Sequence, residues 1–252
     1  TRIRNVTTNS FEVKLQNPGD LASLNAADYN VHFIAVDAGT YTEEFYGLDL
    51  EAYRVESSIT DGVVSGYIGQ MGTYQNTYTR PVVLGQVMSA NDASWSVFWA
   101  AGSYPTLPPN SSALTIGKHV GEDPQNTRAN ETLGIIVFGE KIFNSAELEL
   151  DYLSARSQTY NPIVGFIWAD FAENWVRIAS SSGIREVDGS WPVIEGQLDD
   201  TSLRFYFDND QIADSERSYS GNLASLVIEN SLYYYDGDGD GLADAFEQEI
   251  ID

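Results

Sequence analysis

Apolar and polar residues alternate one by one through long stretches of this chain, and that period of two admits strands while excluding amphipathic helices. In SFEVKLQ, Phe11, Val13 and Leu15 face one way while Glu12, Lys14 and Gln16 face the other. AELELDYL repeats the pattern, with Leu148, Leu150 and Tyr152 opposed to Glu149 and Asp151, and LRFYF sets Leu203, Phe205 and Phe207 together. VHFIAV and LGIIVF are apolar on both faces, which predicts strands sandwiched between two layers. Clusters of Gly, Asn, Asp and Ser break these runs at short intervals, as hairpins require. The expected fold class is all-β, built of antiparallel β-sandwich units, with helix confined to the last ten residues.

The chain also resembles itself. RPVVLGQVMSANDASWSVFWAAG from Arg80 aligns with NPIVGFIWADFAENWVRIASSSG from Asn161, pairing Pro81 with Pro162, Gly85 with Gly165, Trp95 with Trp175 and Gly102 with Gly183. Downstream, RANETLGIIVFGE aligns with RSYSGNLASLVIEN and pairs Arg128 with Arg217. In the N-terminal part, Gly39, Leu48, Asp49, Leu50 and Glu51 match Gly139, Leu148, Glu149, Leu150 and Asp151 at a constant offset of 100. These matches divide the chain into tandem units 1–79, 80–160 and 161–231, followed by a terminal segment 232–252, with the first unit lacking the strand that Pro81 and Pro162 begin in the others. Proline is tolerated at the first residue of a strand because its missing N–H costs least there.

With 37 acidic and 13 basic residues the formal net charge is −24, so nucleic acid and anionic membranes are repelled and cations are the natural partners. There is no cysteine, which removes disulfides, thiolate metal sites and cysteine nucleophiles. The sequence opens TRIRNV without a methionine, a signal-peptide pattern or a bilayer-spanning apolar run, as expected of a mature product or an excised segment.

The clearest chemistry is DGDGDGLADAFE, Asp236 to Glu247. Calcium takes six to eight oxygens, and this spacing offers them from Asp236, Asp238, Asp240, the carbonyl of Leu242, Asp244 and a bidentate Glu247, with Gly241 at the sharp turn. ADAFEQEIID, which begins within the loop, carries Phe246 and Ile250 at helical spacing. The loop resembles those of dockerins and thrombospondin type 3 repeats, which implies a Ca2+-binding linker or terminal staple of an extracellular protein. The acidic composition points to the same location, secreted or at the cell surface.

TRIRNVTTNSFEVKL followed by YNVHFIAVDAG resembles the H-type lectin family, over about a third of the chain. That resemblance implies an antiparallel β-sandwich, carbohydrate binding and an oligomer. The second unit also resembles repeated modules of large bacterial surface proteins. Long insertions such as 55–79 depart from the lectin pattern, so its fold transfers more safely than its function.

Two groups of residues are candidate carbohydrate ligands. Trp95, Val97 and Trp99 alternate onto one face, and an exposed aromatic pair would stack on sugar rings, whereas a buried pair would be core. Trp168, Trp175 and Trp191 pose the same question. The loop KHVGEDPQNTRANE gathers His119, Glu122, Asp123, Arg128, Asn130 and Glu131, donors and acceptors that suit a glycan or a second cation; alternatively Arg128 pairs internally with Glu122 or Asp123.

Enzymatic readings find less support. Glu147, Glu149 and Asp151 are explained as the solvated face of a strand, His32 and His119 stand in no triad or metalloprotease spacing, and phosphate-binding glycine loops are missing. The sequence therefore predicts a non-catalytic calcium-binding module of adhesive, carbohydrate-binding character. The competing expectation is a structural subunit of an extracellular filament, sheath or stalk, in which the unfilled sheet edge of the first unit accepts a strand from a neighbouring copy.

Overall fold

The computed structural model describes residues 1–16, 31–45, 48–62, 66–143, 153–160, 167–168, 175–184, 190–194, 202–203, 205–208 and 221–229. These residues are all-β, and no helix occurs among them. In chain order the strands are β1 (Arg2–Arg4), β2 (Glu12–Lys14), β3 (Gly39–Phe45), β4 (Leu48–Ser57), β5 (Gln70–Met71), β6 (Pro81–Val87), β7 (Val97–Ala101), β8 (Thr115–His119) and β9 (Glu131–Gly139). There follow β10 (Lys141–Phe143), β11 (Leu153–Tyr160), β12 (Ile167–Trp168), β13 (Trp175–Ser182), β14 (Trp191–Ile194), β15 (Ser202–Leu203), β16 (Phe205–Asp208) and β17 (Gly221–Glu229).

Two large sheets carry the architecture. One is four-stranded in the order β3-β4-β9-β6, and the other is seven-stranded in the order β10-β11-β17-β13-β7-β8-β5. The alternation in LGIIVF and PVVLGQV explains how they meet. Val83, Val87, Leu133, Ile135 and Val137 pack with Phe98, Ala100 and Ile116 of β7 and β8. Their neighbours Val82, Leu84 and Phe138 pack instead with Ala224 and Leu226 of β17. Successive residues of one strand point to opposite faces, so the four-stranded sheet is buried on both sides. The larger sheet folds around it, one half covering each face.

Strand β6 lies at the edge of the smaller sheet and in the crook of the larger. Pro81 is its first residue, and Pro81 pairs with Gly139 of β9. An open edge is a template for aggregation, and here it is closed by a side chain. Gly85 N donates to Ser180 Oγ at 3.0 Å, and Ser180 Oγ donates to Gly85 O at 3.2 Å. Residue 85 must be glycine because a Cβ there would overlap the Phe98 ring.

Strands from all three sequence units share these sheets. β3, β4 and β5 come from 1–79, β13 and β17 from 161–231, and one hydrophobic cluster joins Leu50, Leu84 and Leu226. β7 and β13, the two strands that the internal repeat aligns, lie side by side and parallel, with Ser181 opposite Trp99. The described parts of the units therefore share a core rather than forming separate beads.

The structure departs from one predicted strand. VHFIAV, residues 31–36, is apolar on both faces yet joins no ladder among the described residues. Ile34 and Val36 pack against the core, whereas Val31 and Phe33 are exposed. The segment has one covered face and one open face, which leads to the site described next.

Candidate functional site

The hairpin β1–β2 is docked on the sandwich through one arginine. Alternation in RIR sends Arg2 inward and Ile3 outward. The buried Arg2 guanidinium donates to Asp92 O at 2.8 Å, Ser94 O at 3.2 Å and Ser96 Oγ at 2.8 Å, and stands 3.5 Å from the Glu131 carboxylate. Glu131 is itself buried and accepts from Ser89 Oγ, from Asn91 N at 3.1 Å and from Asp92 N at 2.9 Å. Gln16 completes the dock by accepting from Ser96 N at 3.1 Å. A buried ion pair held by this many hydrogen bonds compensates the desolvation of both charges.

The docked hairpin becomes one wall of a cleft of about 900 Å³. Ile3, Phe11, Val13 and Leu15 line that wall, and Val31, Phe33, Ile34 and Val36 continue it. The floor is the face of the central sheet that carries Ala52, Leu84 and Ile136, and the far wall is Ile178 and Ala179 of β13 with Trp191, Val193 and Ile194 of β14. Phe11 and Phe33 meet edge to face with ring centroids 5.0 Å apart. The opening is lined by apolar side chains left unburied: Val13 is 38 % exposed, Leu15 37 %, Val31 46 % and Phe33 49 %. A concavity of this size and lining is what small-molecule and extended-peptide sites look like. The period-two reading of Phe11, Val13 and Leu15 as one face holds, but that face looks into the cleft instead of a closed core.

The residues nominated as sugar ligands lie behind this cleft. Trp99 is wholly buried beneath Gly117, where a Cβ would come 2.8 Å from the indole nitrogen, and it meets Tyr67 edge to face. Trp95 is also buried and packs edge to face on Trp191 at 5.8 Å. Neither ring is a surface stacking platform, which corrects the exposed-pair reading: both are enclosed by the fold of the larger sheet. His119 is fully buried, stacks on Trp191 at 6.4 Å, and accepts a hydrogen bond from Gly121 N at 3.2 Å. Burial pushes its imidazole down to about 4, with the Ser190 backbone opposing the shift.

The polar loop after His119 is likewise occupied by internal bonds. Arg128 is buried and pairs with Asp123 at 2.7 Å, as the internal alternative expected, while also donating to Trp95 O at 3.0 Å and to Gln125 O. Asn130 donates to Glu56 Oε2 at 3.0 Å. Glu122 is half-buried, and Glu131 serves Arg2. The density of donors and acceptors that suggested a glycan site is a structural clamp holding residues 89–96 against 123–131.

Sequence reading did not pick out Arg2 or Arg177, and it left Trp191 undecided. A signal exists for Arg177, a lone cation inside the apolar run WVRIA, whereas Arg2 shares RIR with Arg4 and carries no such mark. The calcium loop Asp236, Asp238, Asp240, Leu242, Asp244 and Glu247 lies outside the described residues, as do Glu147, Glu149 and Asp151. Among the described residues no helix is long and apolar enough to cross a membrane. Comparison with protein-family models, with curated proteins and with solved structures finds no match for this chain.

Proposed function

We propose that this chain is a secreted or cell-surface, non-catalytic binding module that holds an elongated, mainly apolar ligand in the cleft and takes Ca2+ at Asp236–Glu247. The carrying observation is the cleft itself: four of the large apolar side chains left exposed on a highly acidic protein converge on one concavity. Aliphatic walls favour such a ligand over a sugar, whose hydroxyls would find few partners there. A glycan is nonetheless the ligand class that the lectin resemblance implies, with Trp191 as the ring available on the wall. The calcium assignment rests on the match at each ligand position of the loop. The tandem relation of the units is supported by the side-by-side placement of β7 and β13.

The test is fluorescence of the neutral apolar probe N-phenyl-1-naphthylamine in the presence of the full chain and of an Ala179→Trp variant, whose indole would fill the cleft. Enhancement by the wild type that disappears in the variant, at unchanged far-UV circular dichroism, is the expected result. Enhancement that is absent, or equal in both proteins, rejects the cleft as the site. A glycan screen with calcium and after chelation tests the sugar alternative.

One observation favours the second reading, a structural subunit of an extracellular assembly. Residues 31–36 run beside the cleft and pair with no strand among the described residues, which suits the addition of a strand from a neighbouring copy. Size-exclusion chromatography at high protein concentration with calcium decides this reading. A monodisperse monomer rejects it.

A further inference from the structure

The cleft has an electrostatic character opposite to that of the chain. The protein carries 37 acidic residues, yet among the described residues no Asp or Glu lines the cleft, while Arg54 and Arg177 both do. Arg54 sits on the floor strand β4 and is exposed to solvent, so water satisfies it. Arg177 is different. It lies half-buried next to Ile178 on β13, and its Nε is shielded from solvent with no hydrogen-bond partner among the described residues. None of the described carboxylates forms an ion pair with it. Burial lowers the affinity of its guanidinium for the proton, and no charge among the described residues offsets that effect.

Arg177 is only half-buried, but its shielded Nε has no partner among the described residues, and arginine matches carboxylate with a planar fork of donors. Elsewhere the cleft is aliphatic: Ile34, Val36, Ile136 and Ile178 line it and also pack on the hydrophobic core, so the apolar floor is continuous with the protein interior. One end that demands an anion and a body that demands hydrocarbon describe a single kind of molecule.

We propose that the cleft binds an amphipathic carboxylate, a hydrocarbon chain ending in a carboxyl group, with Arg177 pairing with the carboxylate and the aliphatic walls covering the chain. This rests on the reading of the cleft as the binding site, and it names the ligand class. The aliphatic lining takes up the chain through area burial, and Arg177 distinguishes an acid from an alcohol of the same length.

The experiment displaces N-phenyl-1-naphthylamine from the full chain with dodecanoate, dodecanol and dodecyltrimethylammonium, each below its micelle-forming concentration. In the wild type dodecanoate displaces the probe at the lowest concentration and the ammonium compound at the highest. Arg177→Gln weakens dodecanoate by about tenfold or more and leaves dodecanol unchanged, while Arg177→Lys, which keeps the charge, recovers part of the loss. Because the dodecanol reading reports the integrity of the cleft in each variant, a misfolded protein cannot imitate this pattern. Equal displacement by dodecanoate and dodecanol in the wild type, or an undiminished dodecanoate preference in Arg177→Gln, overturns the carboxylate assignment and leaves the cleft intact as a site. Failure of the wild type to bind the probe or any of the three compounds overturns both.

Discussion

Arg2 and Glu131, 129 residues apart in the chain, place guanidinium and carboxylate 3.5 Å from each other with both side chains buried. This contact ties the N-terminal hairpin to the first residue of a central strand, so it supports the cleft wall as well as the core. Removing one partner leaves an uncompensated buried charge. Glu131→Ala is expected to cost about 3–5 kcal/mol in denaturant unfolding, and Arg2→Met with Glu131→Leu together to cost less than Glu131→Ala alone. A single variant as stable as the wild type would show that the pair is solvated.

Gly85 and Phe98 occupy the crook where the larger sheet wraps around β6. Adding a methyl group at 85 drives it into the Phe98 ring, and overpacking of this kind costs about 1–3 kcal/mol. Gly85→Ala is expected to lower stability by that amount, and Phe98→Leu in the same chain to restore part of it. Equilibrium unfolding of the two single variants and the double variant gives the coupling. Strict additivity would mean that the residues do not touch in solution.

Ser180 supplies both hydrogen bonds that close the outer edge of β6 at Gly85. Ser180→Ala leaves that amide and carbonyl without their partner, a loss of about 1–3 kcal/mol. The same substitution exposes an unpaired edge, so aggregation measured by light scattering should rise above that of the wild type at equal concentration.

His119 makes stability depend on pH in a window set by its shift. Folded, its pKa is pushed down to about 4, whereas an unfolded histidine titrates near about 6.5. Between these values the unfolded chain binds more protons than the folded one, so stability rises with pH. The contribution is complete above about pH 6.5 and is lost as pH falls toward about 4, amounting to roughly 3 kcal/mol. The buried Glu51, whose pKa burial raises, acts in the opposite direction between the ordinary carboxylate value and its raised one. The stability of His119→Gln subtracted from that of the wild type at each pH therefore isolates the His119 slope. A flat difference between pH 4 and pH 6.5 would contradict the buried neutral imidazole.

Calcium binding at the C-terminal loop is expected to be weak, with a Kd of roughly 0.1–1 mM as in extracellular modules. Isothermal titration of the full chain should give one site that disappears in Asp238→Ala with Glu247→Gln. Retention of that site in the double variant would move the metal elsewhere.

What was legible in the sequence is what the backbone pleat dictates locally. Alternation placed Phe11, Val13 and Leu15 on one face, marked LGIIVF as doubly buried, and Pro81 stands where a strand begins. The loop from Asp236 to Glu247 lies outside the described residues, and its ligand set rests on the spacing in the sequence alone. Tertiary structure decided which layer covers each face. VHFIAV has the composition of a sandwiched strand, but Val31 and Phe33 are exposed at the cleft and the segment joins no ladder among the described residues. The sequence left open whether Trp95, Trp99, His119 and Glu131 are exposed binding groups or interior, and the fold buries all four by bringing strands from distant parts of the chain together. Arg177 shows the same limit in reverse: a cation in an apolar strand is visible in sequence, but that its Nε finds no partner among the described residues depends on what folding brings near it. Periodicity is a property of adjacent residues, whereas burial and charge pairing depend on contacts between distant ones, so the sequence by itself determined the strands and the tertiary structure decided the cleft.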